Sequence, residues 1–207
     1  MPLLIKFSIE HEKERIKKTI EKLPWYEDHA YSPRFPQGVN PKTDKIEKIF
    51  LALKNEYIEK DYKKIANQLG NEFSRIENDF YNKLEIIFRK KIRQNFQIIL
   101  TQYGVGGSYR LPNKIIYNFA MKSSSVYTVL HEIIHLLIES YITKYKIEQN
   151  EKERIVDLIL KSEPLALSDY KMQKRGEECK KYIDPLFGEY FKPPIDDFFK
   201  KLSKLKS

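Results

Sequence analysis

The chain reads as a helix-rich α+β protein, with a small mixed or antiparallel sheet packed on a helix that carries His131-Glu132-Ile133-Ile134-His135 and on a following helix rich in glutamate. Three observations predict this class. Apolar residues recur at helical spacing through most of residues 10–90. Between residues 95 and 119 the texture changes to β-branched and aromatic clusters around a glycine-rich turn. Helical spacing then resumes to the end, punctuated by prolines.

Taken in order, residues 3–9 alternate weakly and form a short strand or an extended start. From Glu10 to Leu23, Ile16, Ile20 and Leu23 make a helical stripe that Pro24 stops. The stretch Trp25–Thr43, with Pro33, Pro36, Gly38 and Pro41, reads as a long surface loop. A helical zone follows from Asp44 to Arg89, carrying Ile46, Ile49, Phe50 and Leu53 on one face and broken at Gly70. Asn95–Tyr103 is a strand, Gly104–Ser108 a turn, and Asn113–Phe119 a second strand. Ser123, Ser124 or Ser125 supplies a hydroxyl cap for a helix that runs to Thr143. Another helix spans Asn150–Lys161 and ends before Pro164. The tail adds one or two more, interrupted by Pro185, Pro193 and Pro194.

Composition narrows the function classes. With 41% hydrophobic and 13% aromatic residues the chain can fill a core, which excludes wholesale disorder. Its apolar runs are too short to cross a bilayer, so no membrane association is expected. The start lacks the basic leader and sustained apolar stretch of a secretory signal. The lone Cys179 excludes a disulfide framework and a multi-cysteine metal cluster. Together these make the cytoplasm the expected compartment. The net charge of +9 permits anionic partners. Lysine alternates with glutamate along the chain, however, as a solvated helical surface does, so nucleic acid is not the expected partner.

The chemistry concentrates on one helix. Of four histidines, at 11, 29, 131 and 135, two belong to the pattern HExxH. Positions i and i+4 lie on one helix face, so both imidazoles can reach a single metal ion. Glu132, turned by about 100°, falls beside such an ion and can take a proton from water. The flanks Val126–Leu130 and Leu136–Ile138 are apolar, so this helix is largely buried. A chance match would keep two histidines and a glutamate off the apolar face; buried, they need partners, and a metal supplies one.

Catalytic zinc takes three protein ligands. Glu139 lies about 12 Å along the helix from His131, too far to share the ion. Glu153-Arg-Ile-Val-Asp157 on the next helix is a carboxylate pair at i, i+4, backed by Ile155, Val156, Leu158 and Ile159. If the two helices pack antiparallel across a short turn near Ile147–Asn150, Glu153 completes the site. Asp157 then accepts the other ring N–H of a ligand histidine, His131 by preference.

HExxH followed by ExxxD on a second helix resembles the gluzincin class of zinc metallopeptidases, the thermolysin-like group, and in size its minimal members. The resemblance covers residues 95–160. It implies a Zn2+ ion held by His131, His135 and Glu153, Glu132 as general base and acid, Asp157 behind the ligands, and a peptide or protein as substrate. Glu151 is the fallback ligand, since only Glu153 has an acid at i+4. The chain lacks the downstream histidine that steadies the tetrahedral intermediate in some relatives, and Tyr170 or Tyr182 is a candidate replacement. The resemblance also implies that a strand upstream of the motif borders the cleft and pairs with substrate; Asn113–Phe119 has the right order, and an ordinary internal strand fits it equally. The chain then divides into a helical region at residues 1–90, a zinc-binding metallopeptidase-like core at 91–165 and a helical tail at 166–207 packed on that core. The alternative function is a non-catalytic or regulatory zinc-binding domain whose basic surface binds a partner or nucleic acid. A latent peptidase, covered by residues 25–43 or by the tail, is a third.

Overall fold

The computed structural model describes residues 3–92, 94–121, 125–173, 176–192 and 194–205. Leu4–Lys6 forms β1, and Ser8 then caps α1 (Ile9–Glu21) by accepting the His11 N–H. Pro24 does not end a helix here. It sits in the first turn of α2 (Leu23–Asp28), where its missing N–H has no carbonyl to serve, so the expected loop begins later than Trp25. Helix α3 (Ile46–Glu56) closes on the Tyr57 N–H to Leu53 O bond, and α4 (Glu59–Phe88) starts two residues on. The expected break at Gly70 is therefore absent. Glycine inside a helix costs about 1 kcal/mol, which a 30-residue amphipathic helix absorbs. The break falls at Tyr57–Ile58 instead, where Glu59 and Asp61 favour a new helix N-terminus.

Strands β2 (Gln97–Thr101), β3 (Gly107–Arg110) and β4 (Lys114–Asn118) join β1 in one sheet of order β1-β2-β4-β3. β1 and β4 run parallel to β2, and β3 runs antiparallel to β4, so the sheet is mixed and the α+β class holds. Two expectations change. Ser108 and Gly107 are strand rather than turn, because a hairpin through Leu111–Asn113 pairs them with β4. β4 itself has neighbours on both sides, so the strand expected to pair with substrate has no open edge; β1 and β3 are the edges. Helices α5 (Val126–Tyr145), α6 (Gln149–Lys161), α7 (Lys180–Tyr190) and α8 (Asp196–Lys204) follow, with a 3-10 turn at Glu177–Cys179. Of the prolines expected to interrupt the tail, Pro185 lies inside α7, where burial of Ile183 and Phe187 offsets its missing hydrogen bond. Pro193 lies outside the described residues, as do Ser123 and Ser124 among the expected caps.

The chain divides into two compact units, residues 1–73 with 95–129 and residues 74–94 with 130–207. In the first, Ile16, Ile49, Leu53 and Tyr103 form a fully buried cluster. Next to α1's apolar face the buried Glu12 carboxylate accepts from Tyr62 Oη, from Thr101 Oγ1 at 2.5 Å and from Gln102 N at 2.7 Å, which pins the end of β2. Burial pushes the Glu12 pKa up against these hydrogen bonds.

In the second unit α5 is buried on all sides from Leu130 to Ile138, so its polar residues are core residues. Phe198, Phe199 and Leu202 of α8 are fully buried, and Tyr141 stacks on Phe199 with centroids 4.8 Å apart. The tail is thus core of this unit rather than a removable cover. Arg154 of α6 ties it down through Asp184 and Glu177. Among the described residues no helix is long and apolar enough to cross a membrane.

Candidate metal centre

The site lies within the second unit, on α5 and α6 and the segment that follows them. Its precision starts at the turn between the two helices. Lys146 adopts a left-handed conformation (φ 51°), its N–H reaches Thr143 O, and the Ile147 N–H reaches Ile142 O at 3.0 Å. This is a Schellman stop, closed by the buried Ile147. Glu148 N then donates to Glu151 Oε2 at 2.8 Å and opens α6. Only Lys146–Glu148 separate the helices, in line with the short turn that 131, 135 and 153 require.

His131 and His135 present their rings edge to face, 4.6 Å apart, with the two Nε2 atoms 2.9 Å from each other. Glu153 Oε2 stands 3.1 Å from the first and 3.4 Å from the second. All three residues are buried. The centre of a triangle with these sides lies about 1.8 Å from each corner, close to the roughly 2.0–2.1 Å of zinc bonds to imidazole nitrogen and carboxylate oxygen. The residues therefore fit an ion.

Electrostatics says the same. The lone pairs of two imidazole nitrogens and a carboxylate repel one another in a buried site unless a proton or a cation lies among them. Burial opposes the Glu153 charge, yet the facing imidazoles outweigh it and hold the carboxyl well below its usual range. Burial also favours neutral His131, but the Glu153 hydrogen bond and the charges of Glu153, Glu132 and Asp157 prevail, so its pKa is raised. His135 goes the other way: burial dominates the pull of Glu153, His131 adds repulsion, and its pKa falls to about 4. Without metal, a proton on His131 supplies the positive charge that a cation would otherwise bring.

Behind the triangle Glu153 and His131 are each oriented by a neighbour. Gln149 Nε2 donates to Glu153 Oε1 at 2.6 Å, leaving Oε2 for the centre. Tyr170 Oη donates to the fully buried Asp157 and lies 2.8 Å from His131 Nδ1. A hydroxyl has one proton, so Tyr170 accepts from His131 Nδ1–H, and that tautomer turns the Nε2 lone pair toward the ion. Asp157 was expected to take this N–H directly. Its Oδ1 is 3.6 Å from Nδ1, and the tyrosine hydroxyl relays the contact. Tyr170 accordingly sits on the far side of His131 from the donor triangle. Tyr182 is elsewhere, donating to Glu151 Oε1 at 3.0 Å. With its other oxygen on Glu148 N, Glu151 is a cap of α6 and not a ligand.

Glu132 is buried at 6% exposure and is not one of the three converging donors. Its charge acts on both His131 and Tyr170. Neither His11 nor His29 joins a metal-ligating group among the described residues. Comparison with family models, curated proteins and solved structures finds no match. The site is therefore described by its own chemistry. The residues alone do not point to Gln149 or Gln173, and they offer Tyr170 only as a replacement for a downstream histidine, not as the partner of His131. Gln149 sits one turn before Glu153 and was findable by i, i+4 spacing, whereas Tyr170 and Gln173 lie on an irregular segment with no periodic signal.

Proposed function

We propose that this chain is a zinc-dependent metallopeptidase of gluzincin type that hydrolyses peptide bonds, with His131, His135 and Glu153 as metal ligands and Glu132 as general base and acid. The observation that carries the reading is the convergence of two imidazole Nε2 atoms and one carboxylate oxygen, at 2.9–3.4 Å, inside a buried core. When bound, zinc supplies Lewis acidity toward a carbonyl group and toward water.

The protein's own groups do the rest. Two neutral nitrogens and one carboxylate suit zinc better than calcium or magnesium, which take oxygen donors. Asp157 and Tyr170 hold His131 in the tautomer a cation needs, and Gln149 fixes the rotation of the Glu153 carboxylate. Glu132 follows His131 on α5, its charge acts on His131, and it is not one of the three converging donors, which suits a carboxylate that works beside the ion rather than on it. From there it takes a proton from the attacking water and returns it to the leaving amine, the cycle a single carboxylate performs in acyl hydrolysis.

The test is Glu132→Gln. Zinc-loaded wild type, incubated with a degenerate peptide mixture, should generate new amino termini detectable by mass spectrometry. Glu132→Gln should keep about one zinc per chain and lose the cleavage, whereas His135→Ala should lose both. Undiminished cleavage by Glu132→Gln would remove the role assigned to it.

A further inference from the structure

We propose that Gln173 gates the metal centre: at rest its side-chain amide occupies the position facing His131 Nε2 that an incoming small ligand must take, and it vacates that position by rotating its own side chain. The proposal rests on the metal reading above and concerns how that centre is regulated.

Three observations carry it. The amide group of Gln173 lies 3.1 Å from His131 Nε2. That is the separation of Glu153 Oε2 from the same nitrogen, and it is close to the edge of a zinc tetrahedron, about 3.3 Å for bonds of this length. An amide turned about its last bond exchanges nitrogen for oxygen at unchanged positions, so the same side chain can offer a carbonyl oxygen to the proton on His131 Nε2 or to a cation in its place. Second, His131, His135, Glu132 and Glu153 are all 6% exposed or less, while Gln173 is exposed. It touches a ligand atom and solvent at once. Third, its backbone is fixed: Gln173 N donates to Asp157 Oδ2 at 2.7 Å, and Tyr170 three residues earlier donates to Oδ1 of the same carboxylate.

The Tyr170–Gln173 segment is therefore clipped at both ends to a fully buried group. A lid that swings away would have to break both bonds and leave Asp157 charged and unpartnered in the core. Rotation about the three side-chain bonds of glutamine needs neither. The gate opens without moving the strap.

Azide binding to the Co2+-loaded full-length chain, read from the Co2+ visible absorption, tests this. Azide should perturb the wild-type spectrum only weakly. Gln173→Ala keeps the backbone N–H to Asp157 and should bind azide at least about tenfold more tightly, with the same Co2+ stoichiometry and melting temperature. Gln173→Glu, which sets an anion at the same position, should bind azide more weakly than wild type. Equal azide affinity in wild type and Gln173→Ala, with Co2+ bound in both, overturns the gate and leaves the metal centre standing. If wild type takes up no Co2+, or if His135→Ala takes it up equally well, the metal reading falls and the gate with it. Should Gln173→Ala lower the melting temperature, Gln173→Ser repeats the comparison, and an unchanged azide affinity there is equally decisive.

Discussion

Replacing Tyr170 by phenylalanine removes one oxygen and nothing else, and the structure says what that oxygen does. It bridges His131 Nδ1, 2.8 Å away, and Asp157. Losing it deprives a fully buried carboxylate of one of its two donors among the described residues, the other being Gln173 N. A hydrogen bond to a charged group is worth about 1.5–3 kcal/mol. The two groups left behind are 3.6 Å apart, so a shift of well under 1 Å brings Nδ1–H onto Asp157 and recovers part of it. Tyr170→Phe should therefore cost about 1–2 kcal/mol of stability. Metal affinity should fall about tenfold, the lower end of the ten- to hundredfold range for partners that orient a ligand. Asp157→Ala, which leaves both Tyr170 and the Gln173 N–H without their acceptor, should reach the upper end. Competition with a chromophoric chelator measures the affinities, and urea unfolding of the metal-free variants the stabilities. If Tyr170→Phe binds zinc within twofold of wild type, the relay does not orient His131 and the tautomer argument fails.

Other expectations concern the whole chain. Metal competes with the proton on His131, whose pKa is raised above 6.5, while that of His135 is pushed down to about 4 and the Glu153 carboxyl is held well below its usual range. Zinc affinity should thus fall as pH falls through the His131 value, about tenfold per unit between pH 6.5 and 4, and twice as steeply below; calorimetric titration across pH checks the slope, and two protons displaced at pH 5.5 would refute it. In the first unit, Glu12→Ala strands three donors and should cost about 3–5 kcal/mol in urea unfolding. Glu12→Gln, which keeps an acceptor and lets Thr101 Oγ1 accept, should cost under about 1.5 kcal/mol. Gly176 has φ 84°, and a Cβ there would stand 2.6 Å from Asn150 O, so Gly176→Ala should destabilise by at least about 2 kcal/mol and lower the melting temperature.

What could be read from the residues alone followed from periodicity. The His131–His135 spacing and the Glu153–Asp157 spacing are helical facts, and the three-residue turn between their helices brings the first three together as expected. Local rules failed where tertiary context outweighed them: Gly70 and Pro185 sit inside helices because the surrounding burial outweighs their propensities, and Pro24 opens a helix it was expected to close. β3 went unread because Gly107-Ser108-Tyr109-Arg110 has no apolar alternation and exists only through pairing with β4. Tyr170 reaches His131 across 39 positions and Gln173 across 42, and no spacing rule spans an irregular segment of that length.

The division of the chain has a practical consequence for anyone who dissects it. The backbone passes from one unit to the other at residues 73–74, 94–95 and 129–130. No single contiguous stretch contains a whole unit. A nick near residue 94 leaves a piece of each unit on both fragments, so the halves should co-elute under native conditions and separate only in denaturant. Expression trials that trim the gene to a minimal motif-bearing fragment should yield aggregates rather than a smaller folded protein.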